Sequence, residues 1–388
     1  MIQTKTYRYK LNPTPGQKQA LGQWSGACRY VYKLSLSYKK TLWEHNKVSI
    51  TKNDIQKELG AIAGTPDRKE TTWLGCVHSQ PLQEVTDRVF NAYEGFFKLG
   101  KGFPKFARKG HYQSFSFKEG VKISPTHVQL PKFGKVKYRN SQDCIGTIKR
   151  ATVRECADGW YVCLCVETDI EPLPMNSNSI GVDVGIKSLL VTSDGQTVEN
   201  PKHLYKAGRK LKRLQRSVSR KKKGSTRRKK AVKKLALQHQ KVANTRKDFQ
   251  QKVTTKLIRE NQSISVEDLK IKNMMGNHHL AKSISDAGWY ELTQMLAYKA
   301  RWYGREFVKV SARHTSQDCS VCGYRKADLT LSVREWQCPT CQTLHDRDIN
   351  AAQNIKHKAW SATAVGQTVL ARKIYAPVGV VVRESPRL

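Results

Sequence analysis

Two cysteine pairs constrain the fold of this chain more than any other feature of its sequence. Cys319 and Cys322 form the first Cys-x-x-Cys pair, and Cys338 and Cys341 form the second, with fifteen residues between the pairs. This spacing is typical of two short turns that bind one tetrahedral Zn²⁺ through four thiolates. Since protein ligands fill all four positions, the predicted site is closed and structural rather than catalytic. Four buried thiols without a metal are the alternative.

An aspartate between two glycines is the first candidate for chemistry. In segment 180–187 the even positions are all apolar, which predicts a strand with one buried face, and the odd positions include Gly181, Asp183 and Gly185. Aspartate is disfavoured within a strand and costly to bury unpaired. We therefore interpret Asp183 as functional, with open space above it where a metal ion and a phosphate could lie. A structural aspartate is the alternative.

Two further acids complete the candidate set. Glu267 ends a short apolar strand and would by itself be an ordinary edge residue. Asp348 precedes a helical run and could be its N-cap, a role for which Asp346 competes. Two acids on strands and one at a helix start resemble the arrangement in RuvC and RNase H nucleases. Carboxylate oxygens suit Mg²⁺, and two such ions can stabilise the attacking and leaving oxygens of a phosphodiester.

The charge balance favours a polyanionic partner. Lys and Arg total 70 against 31 Asp and Glu, a formal net charge of +39, and nucleic acid is the commonest partner for such an excess. A membrane surface is the rival, but no apolar run approaches the ~18 residues that a span requires. The N-terminus lacks an apolar signal segment. We therefore expect a cytosolic protein whose ten cysteines are thiols or metal ligands rather than disulfides.

A basic tract over 206–247 points to the same partner. Sixteen Lys or Arg lie within 206–234, and apolar residues keep helical spacing on both sides of Gly224-Ser225. The pattern predicts two antiparallel helices with a basic face that contacts nucleic acid, the alternative being a solvated surface. Aromatic side chains interleaved with basic ones after Gly102 could stack on bases. The predicted nucleic-acid-binding residues are Arg29, Lys105, Arg108, Arg213, Arg227, Arg228 and Lys229.

The first half of the chain changes pattern near residue 103. Helical spacing predicts helices over 17–40, 52–63 and 81–99. The short alternating runs that follow predict a small antiparallel barrel, which the early strand 7–11 could join. Cys163 and Cys165 share one face of such a strand and are assigned to its core. The pair His278-His279 has no partner at ligand spacing and is assigned to a loop.

Several motifs in this order resemble the TnpB family, the RNA-guided nucleases encoded by bacterial insertion sequences and ancestral to type V CRISPR effectors. The similarity extends from the N-terminal region to about His357. The motifs that carry it are Gly26-Ala-Cys-Arg-Tyr-Val-Tyr32, Gly102-Phe-Pro-Lys-Phe106, Leu130-Pro-Lys-Phe-Gly134, Gly181-Val-Asp-Val-Gly185, Val266-Glu-Asp-Leu269, Leu296-Ala-Tyr-Lys-Ala300, Thr315-Ser-x-x-Cys319 and Asp346-Arg-Asp-Ile-Asn-Ala-Ala352.

The resemblance implies a multidomain chain of α+β and α/β character. An N-terminal antiparallel β-barrel would be split by a helical recognition lobe, and a RuvC/RNase H-like nuclease domain would contain an inserted zinc ribbon. The expected ranges are 1–11 and 104–171 for the wedge-like barrel, 12–103 for the helical lobe, 178–312 and 343–358 for the nuclease domain with basic helices at 202–260, 313–342 for the ribbon, and 359–388 for a tail that could be partly disordered.

The resemblance also implies the activity, an RNA-guided, Mg²⁺-dependent DNA endonuclease of a transposable element. Asp183, Glu267 and Asp348 are the implied catalytic acids that hold two Mg²⁺, and Asp348 is thereby chosen over Asp346. The implied partners are a guide RNA from the transposon end and double-stranded DNA with a short adjacent motif. The location would be bacterial cytoplasm, at the nucleoid when the protein acts on DNA. A guide-independent RuvC-type nuclease or resolvase and a non-cleaving nucleic-acid-binding regulator remain alternatives.

Two positions depart from the family pattern. Gln342 follows the fourth cysteine, where glycine is usual, so this turn is expected to be strained or shifted. Lys33 stands where asparagine is common. Neither touches the three acids.

Overall fold

The computed structural model describes residues 2–64, 72–108, 110, 112–330 and 332–364, in two compact units, Met1–Asp169 and Ile170–Leu388. Each unit is described by itself. Among the described residues, no helix has both the length and the apolar content needed to cross a bilayer.

In its described residues, the first unit consists of one strand, four helices and six further strands. These elements are β1 Ile2–Leu11, α1 Pro15–Asn46, α2 Lys52–Gly64, α3 Thr72–Gly75, α4 Ser79–Leu99, β2 Ser114–Phe117, β3 Lys122–Ile123, β4 His127–Leu130, β5 Gly134–Arg139, β6 Thr147–Cys156 and β7 Gly159–Asp169.

Local signals fix the ends of α1, the longest helix of this unit. The Thr14 side chain accepts a hydrogen bond from the Gln17 amide, the Gln17 side chain accepts one from the Thr14 amide, and Pro15 opens the first turn. The helix ends at Asn46 and is followed by Lys47, which adopts a left-handed conformation. The predicted helices at 17–40, 52–63 and 81–99 all form, with α1 six residues longer at its C-terminal end than its apolar pattern indicated.

Seven strands of the first unit form one antiparallel sheet in the order β2-β6-β7-β1-β5-β4-β3. β1 lies between β7 and β5, so the first strand does join strands that follow the inserted helices. Trp24 of α1 packs against Phe115 of β2, with ring centroids 5.7 Å apart, and joins helices and sheet in one core. In the described part of the chain the sheet stays open at β2 and the two-residue β3, where the sequence predicted a barrel.

The part of the second unit that the structure describes contains a sheet, six helices and a small hairpin. Its elements are β8 Ser179–Val184, β9 Ser188–Thr192, β10 Thr197–Glu199, α5 His203–Ser219, α6 Thr226–Glu260, β11 Ser263–Glu267, α7 Ile271–Met274, α8 His278–Ala287, α9 Trp289–Tyr303, β12 Glu306–Val310, β13 Glu335–Gln337, β14 Leu344–Asp346 and α10 Arg347–Ala364.

Five of these strands form a mixed sheet in the order β10-β9-β8-β11-β12. The pairs β8–β11 and β11–β12 are parallel, and the helices α5–α6 and α7–α9 provide the crossovers that parallel pairs require. Val182 and Val266 pack on one side in a cluster with Ile258 of α6 and Leu292 of α9. Val308, Val310, Ile355 and Ala359 form a separate cluster with α10. Helices therefore cover this sheet on both faces, which explains its apolar strands.

The two basic helices form as predicted, and two other predictions need correction. α5 and α6 are separated at Gly224, which has a φ of +85°, and Ser225 caps α6 by accepting from the Arg228 amide at 3.2 Å. His278 does not lie in a loop: it begins α8, because the Asn277 side chain caps that helix by accepting from the His279 amide. α10 continues to Ala364, six residues beyond the predicted domain end at 358.

The remaining tail, 365–388, lies outside the described residues, so the prediction of disorder there is not addressed by the structure. Cys163 is buried, as assigned, whereas Cys165 on the same strand is half-buried.

Candidate active site and metal centre

Strand register places two of the candidate acids side by side. In the parallel pair β8–β11, Gly181 lies opposite Ser265 and Val182 opposite Val266. The next residues along the two strands are Asp183 and Glu267. Because side chains alternate along a strand, both acids leave the sheet on the face opposite the buried valines, at the carboxyl ends of the two strands. The carboxyl ends of parallel strands are a common location for binding sites.

The third acid lies at the start of α10, where Asp346 rather than Asp348 is the N-cap. The Asp346 carboxylate accepts from the amides of Asp348 at 2.9 Å and Ile349 at 3.0 Å. Because Asp346 is the N-cap, the Asp348 side chain in the first turn of α10 does not cap the helix.

Gly181 allows α10 to lie directly on β8. A Cβ atom at this position would lie 2.0 Å from the Ala352 carbonyl oxygen and 2.7 Å from the Lys356 amide nitrogen, both backbone atoms of α10. The sequence predicted open space beside this glycine, and that prediction is wrong. The space is occupied by α10, the helix that carries Asp348, and the close approach of α10 to β8 brings the third acid toward the first two.

The three carboxylates interact electrostatically. Burial, together with the negative charges of Glu267 and Asp348, raises the pKa of Asp183 well above its ordinary value. Burial also raises the pKa of Glu267, although the Thr315 hydroxyl and the Lys358 ammonium oppose that shift. Such shifts are the expected result of placing like charges close together in a partly dehydrated environment. This group of acids therefore favours a positive charge beside it.

Two neighbouring side chains hold the acids in their present orientation. The Thr315 hydroxyl, which is buried, donates to Oε1 of Glu267. The Arg334 guanidinium lies 3.2 Å from Oδ1 of Asp348. Sequence reasoning missed both residues. Thr315 lies in the Thr-Ser-x-x-Cys motif, which was a usable signal, whereas no local pattern distinguishes Arg334 from the many other arginines.

The four cysteines form a more compact group than the acids. Among the described residues, only Cys319, Cys322, Cys338 and Cys341 bring three or more potential metal-ligand atoms within 4.8 Å of one another. The Sγ atoms of Cys319 and Cys341 are 3.6 Å apart, and those of Cys322 and Cys338 are 3.5 Å apart. Four thiolates at ~2.3 Å from a tetrahedral Zn²⁺ would be about 3.8 Å apart. The cluster therefore fits a metal ion of this kind.

The second cysteine turn carries the strain that its sequence indicated. Gln342 has a φ of +58°, whereas the equivalent position after the first pair is Gly323 at +77°. Left-handed backbone is unfavourable for residues with a Cβ atom. The turn nevertheless closes with a hydrogen bond from the Gln342 amide to the Cys338 carbonyl at 2.9 Å. The Gln342 side chain adds a second one to the Pro339 carbonyl at 3.0 Å.

The predicted nucleic-acid-binding residues lie on both units. Arg213 is exposed on α5, and Arg227, Arg228 and Lys229 form the first turn of α6. In the first unit, Arg29 is half-buried on α1, and Lys105 and Arg108 are exposed in the segment after α4. Of the predicted residues, Arg227, Arg228 and Lys229 lie close together because they are consecutive in α6.

Three family models match the chain. One, OrfB_IS605, described as "Probable transposase", covers residues 162–278, and one described as "Cas12f1-like, TNB domain" covers residues 289–355. A third, described as "Helix-turn-helix domain", covers residues 1–47. In this structure that region is a strand followed by one uninterrupted helix, so its description does not match the fold observed.

Full-length relatives are more informative. The chain is 34% identical to "Putative RNA-guided DNA endonuclease" of Streptomyces pristinaespiralis over 94% of this chain and 92% of the relative. It is 31% identical to "Putative RNA-guided DNA endonuclease InsQ" of Escherichia coli (strain K12) over 95% and 96%. A solved structure of CasPhi-2 (Cas12j) bound to crRNA covers 96% of the chain at 10% identity, with a TM-score of 0.47. Because the first two similarities extend along nearly the whole length of both chains, this chain belongs to the TnpB family.

Proposed function

We propose that this protein is an RNA-guided DNA endonuclease of a transposable element, with Asp183, Glu267 and Asp348 as its catalytic acids. The observation that carries the proposal is the arrangement of three carboxylates, from β8, β11 and α10, at one end of the sheet, where burial and the negative charges of Glu267 and Asp348 raise the pKa of Asp183. The names of the two full-length relatives support the same activity.

The acids form a donor set that suits Mg²⁺. All three offer carboxylate oxygens, and the repulsion among them would be relieved by a divalent cation. Two bound Mg²⁺ would supply stabilisation of the attacking and leaving oxygens of a DNA phosphate. The Thr315 hydroxyl donates to one oxygen of Glu267, so the other oxygen would be available to a cation. Asp183 is the acid whose pKa is raised by the charges of both others, and it would hold Mg²⁺ together with them.

Arg334 would have two successive roles. In the chain alone its guanidinium pairs with Asp348, although about half of the Arg334 side chain remains exposed. An anionic phosphate and its cations that bind at the three acids would compete for both members of this pair. We propose that Arg334 then transfers from the carboxylate to the phosphate, since guanidinium binds both groups with the same fork of donors.

The proposed domain organisation follows the family. The second unit would comprise a RuvC/RNase H-like nuclease domain at 178–312 and 343–358, and a zinc ribbon at 313–342 held by Cys319, Cys322, Cys338 and Cys341. The first unit would comprise a wedge-like barrel at 1–11 and 104–171 around a helical recognition lobe at 12–103. The basic helices α5 and α6 would contact a guide RNA from the transposon end, or its hybrid with DNA that carries a short adjacent motif.

A cleavage experiment with purified protein tests the proposal. The protein would be purified from cells that also transcribe the flanking transposon sequence, and its bound RNA would be sequenced. Linear DNA that matches this RNA and has a randomised flank, which supplies the adjacent motif, should be cut in Mg²⁺, and scrambled DNA with the same flank should stay intact. Asp183→Ala should abolish cleavage while RNA still co-purifies. Asp268→Ala, next to Glu267 but exposed and paired with Lys309, should cut normally and serves as the matched control.

Each alternative gives a different result. Equal cutting of matched and scrambled DNA would indicate a guide-independent nuclease. Tight binding of RNA and DNA without turnover in Mg²⁺ or Mn²⁺ would indicate a regulator. Cleavage by Asp183→Ala would refute the proposed role of that residue.

A further inference from the structure

One buried histidine belongs to the cysteine cluster, although the spacing of the cysteines gives no indication of it. The Nε2 atom of His345 lies 3.0 Å from Sγ of Cys319, and the His345 side chain is 5% exposed. Cys319 itself is 2% exposed. The contact is therefore shielded from water. Hydrogen bonds and charge interactions are stronger in such a buried environment than in solvent.

The β13–β14 hairpin fixes this histidine in place. His345 is the middle residue of β14 and faces inward, whereas its neighbours Leu344 and Asp346 are exposed. It lies directly opposite Trp336, the inward residue of β13. The two rings lie 4.7 Å apart between centroids, at 36° to each other. Trp336 therefore packs against the imidazole and restricts its movement beside Cys319.

We propose that His345 is a positioning residue of the ribbon's metal centre, where its Nε2–H donates a hydrogen bond to the Cys319 thiolate. Four thiolates around one divalent cation leave an excess of two negative charges, and a donor aimed at one sulfur lowers their repulsion. A thiolate carries no proton, so a neutral imidazole must hold its proton on Nε2 to fit this contact. The inference rests on the proposed zinc ribbon and deepens it.

The position of His345 also connects the metal centre to the acids. β14 runs into α10 without a break, so His345, the capping Asp346 and the acid Asp348 lie within four consecutive residues. On α10, the Asn350 side chain accepts from the Ser320 amide at 2.9 Å and donates to the Asp318 carbonyl at 2.8 Å, on both sides of Cys319. Loosening the contact between His345 and Cys319 would therefore loosen the start of α10.

Zinc affinity and cobalt spectra of the full-length protein test this role. His345→Phe keeps a ring against Trp336 but removes the donor, and His345→Gln restores a side-chain N–H. In competition with a chromophoric chelator, His345→Phe should bind zinc about 10–100-fold more weakly than the parent protein. His345→Gln should recover most of the affinity. Leu344→Ala, adjacent but 71% exposed, should match the parent.

Cobalt substitution distinguishes a hydrogen-bond donor from a ligand. With Co²⁺ in place of zinc, the thiolate charge-transfer and ligand-field bands should be the same in the parent and in His345→Phe, as expected for four sulfur ligands. A changed band pattern in the variant would show that His345 is itself a ligand and overturn the proposal. Equal zinc affinity of His345→Phe and the parent would also overturn it while leaving the ribbon intact.

Absence of zinc from the purified parent protein would overturn the ribbon and this role together. Should His345→Phe fail to fold, His345→Leu provides a second donor-free variant for the same comparison.

Discussion

Gly181 is the residue on which the geometry of the candidate site depends most directly. A methyl group there would meet the α10 backbone at 2.0 Å, too close for any side-chain rearrangement to relieve. We expect Gly181→Ala to displace α10 from β8, destabilise the second unit by about 1–3 kcal/mol and greatly reduce cleavage. Thermal denaturation and cleavage rates check both effects. Gly208→Ala is the control, since nothing lies within 4 Å of Gly208 on α5. A fully active Gly181→Ala protein would contradict the importance of this contact.

Lys299 gives the second unit a distinctive pH dependence. Its ammonium, 4% exposed on α9, donates to the Gln251 carbonyl at 2.8 Å and to the hydroxyls of Thr254 at 2.8 Å and Thr255 at 2.7 Å. Burial lowers its pKa to about 8, against ~10.4 in an unfolded chain. At a pH between these two pKa values, the unfolded chain binds more protons than the folded chain. The contribution of Lys299 to the free energy of unfolding therefore rises with pH in this range and is constant below about pH 8.

Lys299→Met should remove this rise. Between pH 7.5 and 10, the free energy of unfolding measured with urea should rise by on the order of 2–3 kcal/mol more in the parent than in Lys299→Met. Lys241→Met, at an exposed position on α6, should follow the parent at every pH. Parallel pH profiles for the parent and Lys299→Met would show that the buried amine titrates normally.

At the scale of elements, α5 depends on another helix for its N-terminal cap. Lys202 precedes α5 in a left-handed conformation and makes no side-chain cap. Asp286 of α8, 8% exposed, instead accepts from the Leu204 amide at 2.8 Å and from the Tyr205 amide at 3.2 Å. A carboxylate at this end of a helix also interacts favourably with the helix dipole. Asp286 therefore fixes the position of the first basic helix.

Asp286→Ala should lower the free energy of unfolding of the second unit by about 1–2 kcal/mol. The N-terminal end of α5 should open locally more often than the rest of the unit. Hydrogen exchange should show faster exchange of the Leu204 and Tyr205 amides, with an intermediate effect for Asp286→Asn, which keeps an acceptor but not the charge. Asp248→Ala, which removes an exposed partner of Lys252 on α6, should leave the α5 amides unchanged. Unaltered exchange in Asp286→Ala would mean that α5 is held by its apolar contacts alone.

Elements with strong periodicity were predictable, whereas contacts between distant elements were not. The apolar stripes of α1, α4, α5 and α6 predicted those helices, and the alternation around Asp183 predicted β8. α8 was missed because its ten residues are fewer than the window of about 11–18 residues over which helical spacing is read. The register that sets Asp183 beside Glu267 depends on hydrogen bonds between strands eighty residues apart in sequence. No local pattern encodes it, and the same holds for the Arg334–Asp348 pair and the contact of His345 with Cys319.

At the scale of the whole molecule, the net charge of +39 does not by itself indicate where a polyanion binds. The binding region depends on where the basic residues without acidic partners are concentrated. Many basic residues are already neutralised locally. Lys40, Lys98 and Lys252 each pair with an acid four residues away, at 3.5, 2.7 and 2.7 Å. By contrast, the tract from 201 to 247 contains no acid at all. The field of the molecule should therefore be strongest along α5 and α6, and polyanion binding should concentrate there.

Salt dependence of RNA binding tests this distribution. Each phosphate that the protein no longer neutralises should lower the slope of log affinity against log salt by about 0.7–0.9. The triple variant Arg227→Gln, Arg228→Gln, Lys229→Gln in the first turn of α6 should therefore reduce the slope by about 2–3 and weaken binding most at low salt. The variant Lys40→Gln, Lys98→Gln, Lys149→Gln removes the same charge from sites that are paired with acids outside α5 and α6, and its slope should stay near that of the parent. Equal reductions of the slope in the two variants would show that net charge alone, rather than the α5–α6 surface, holds the RNA.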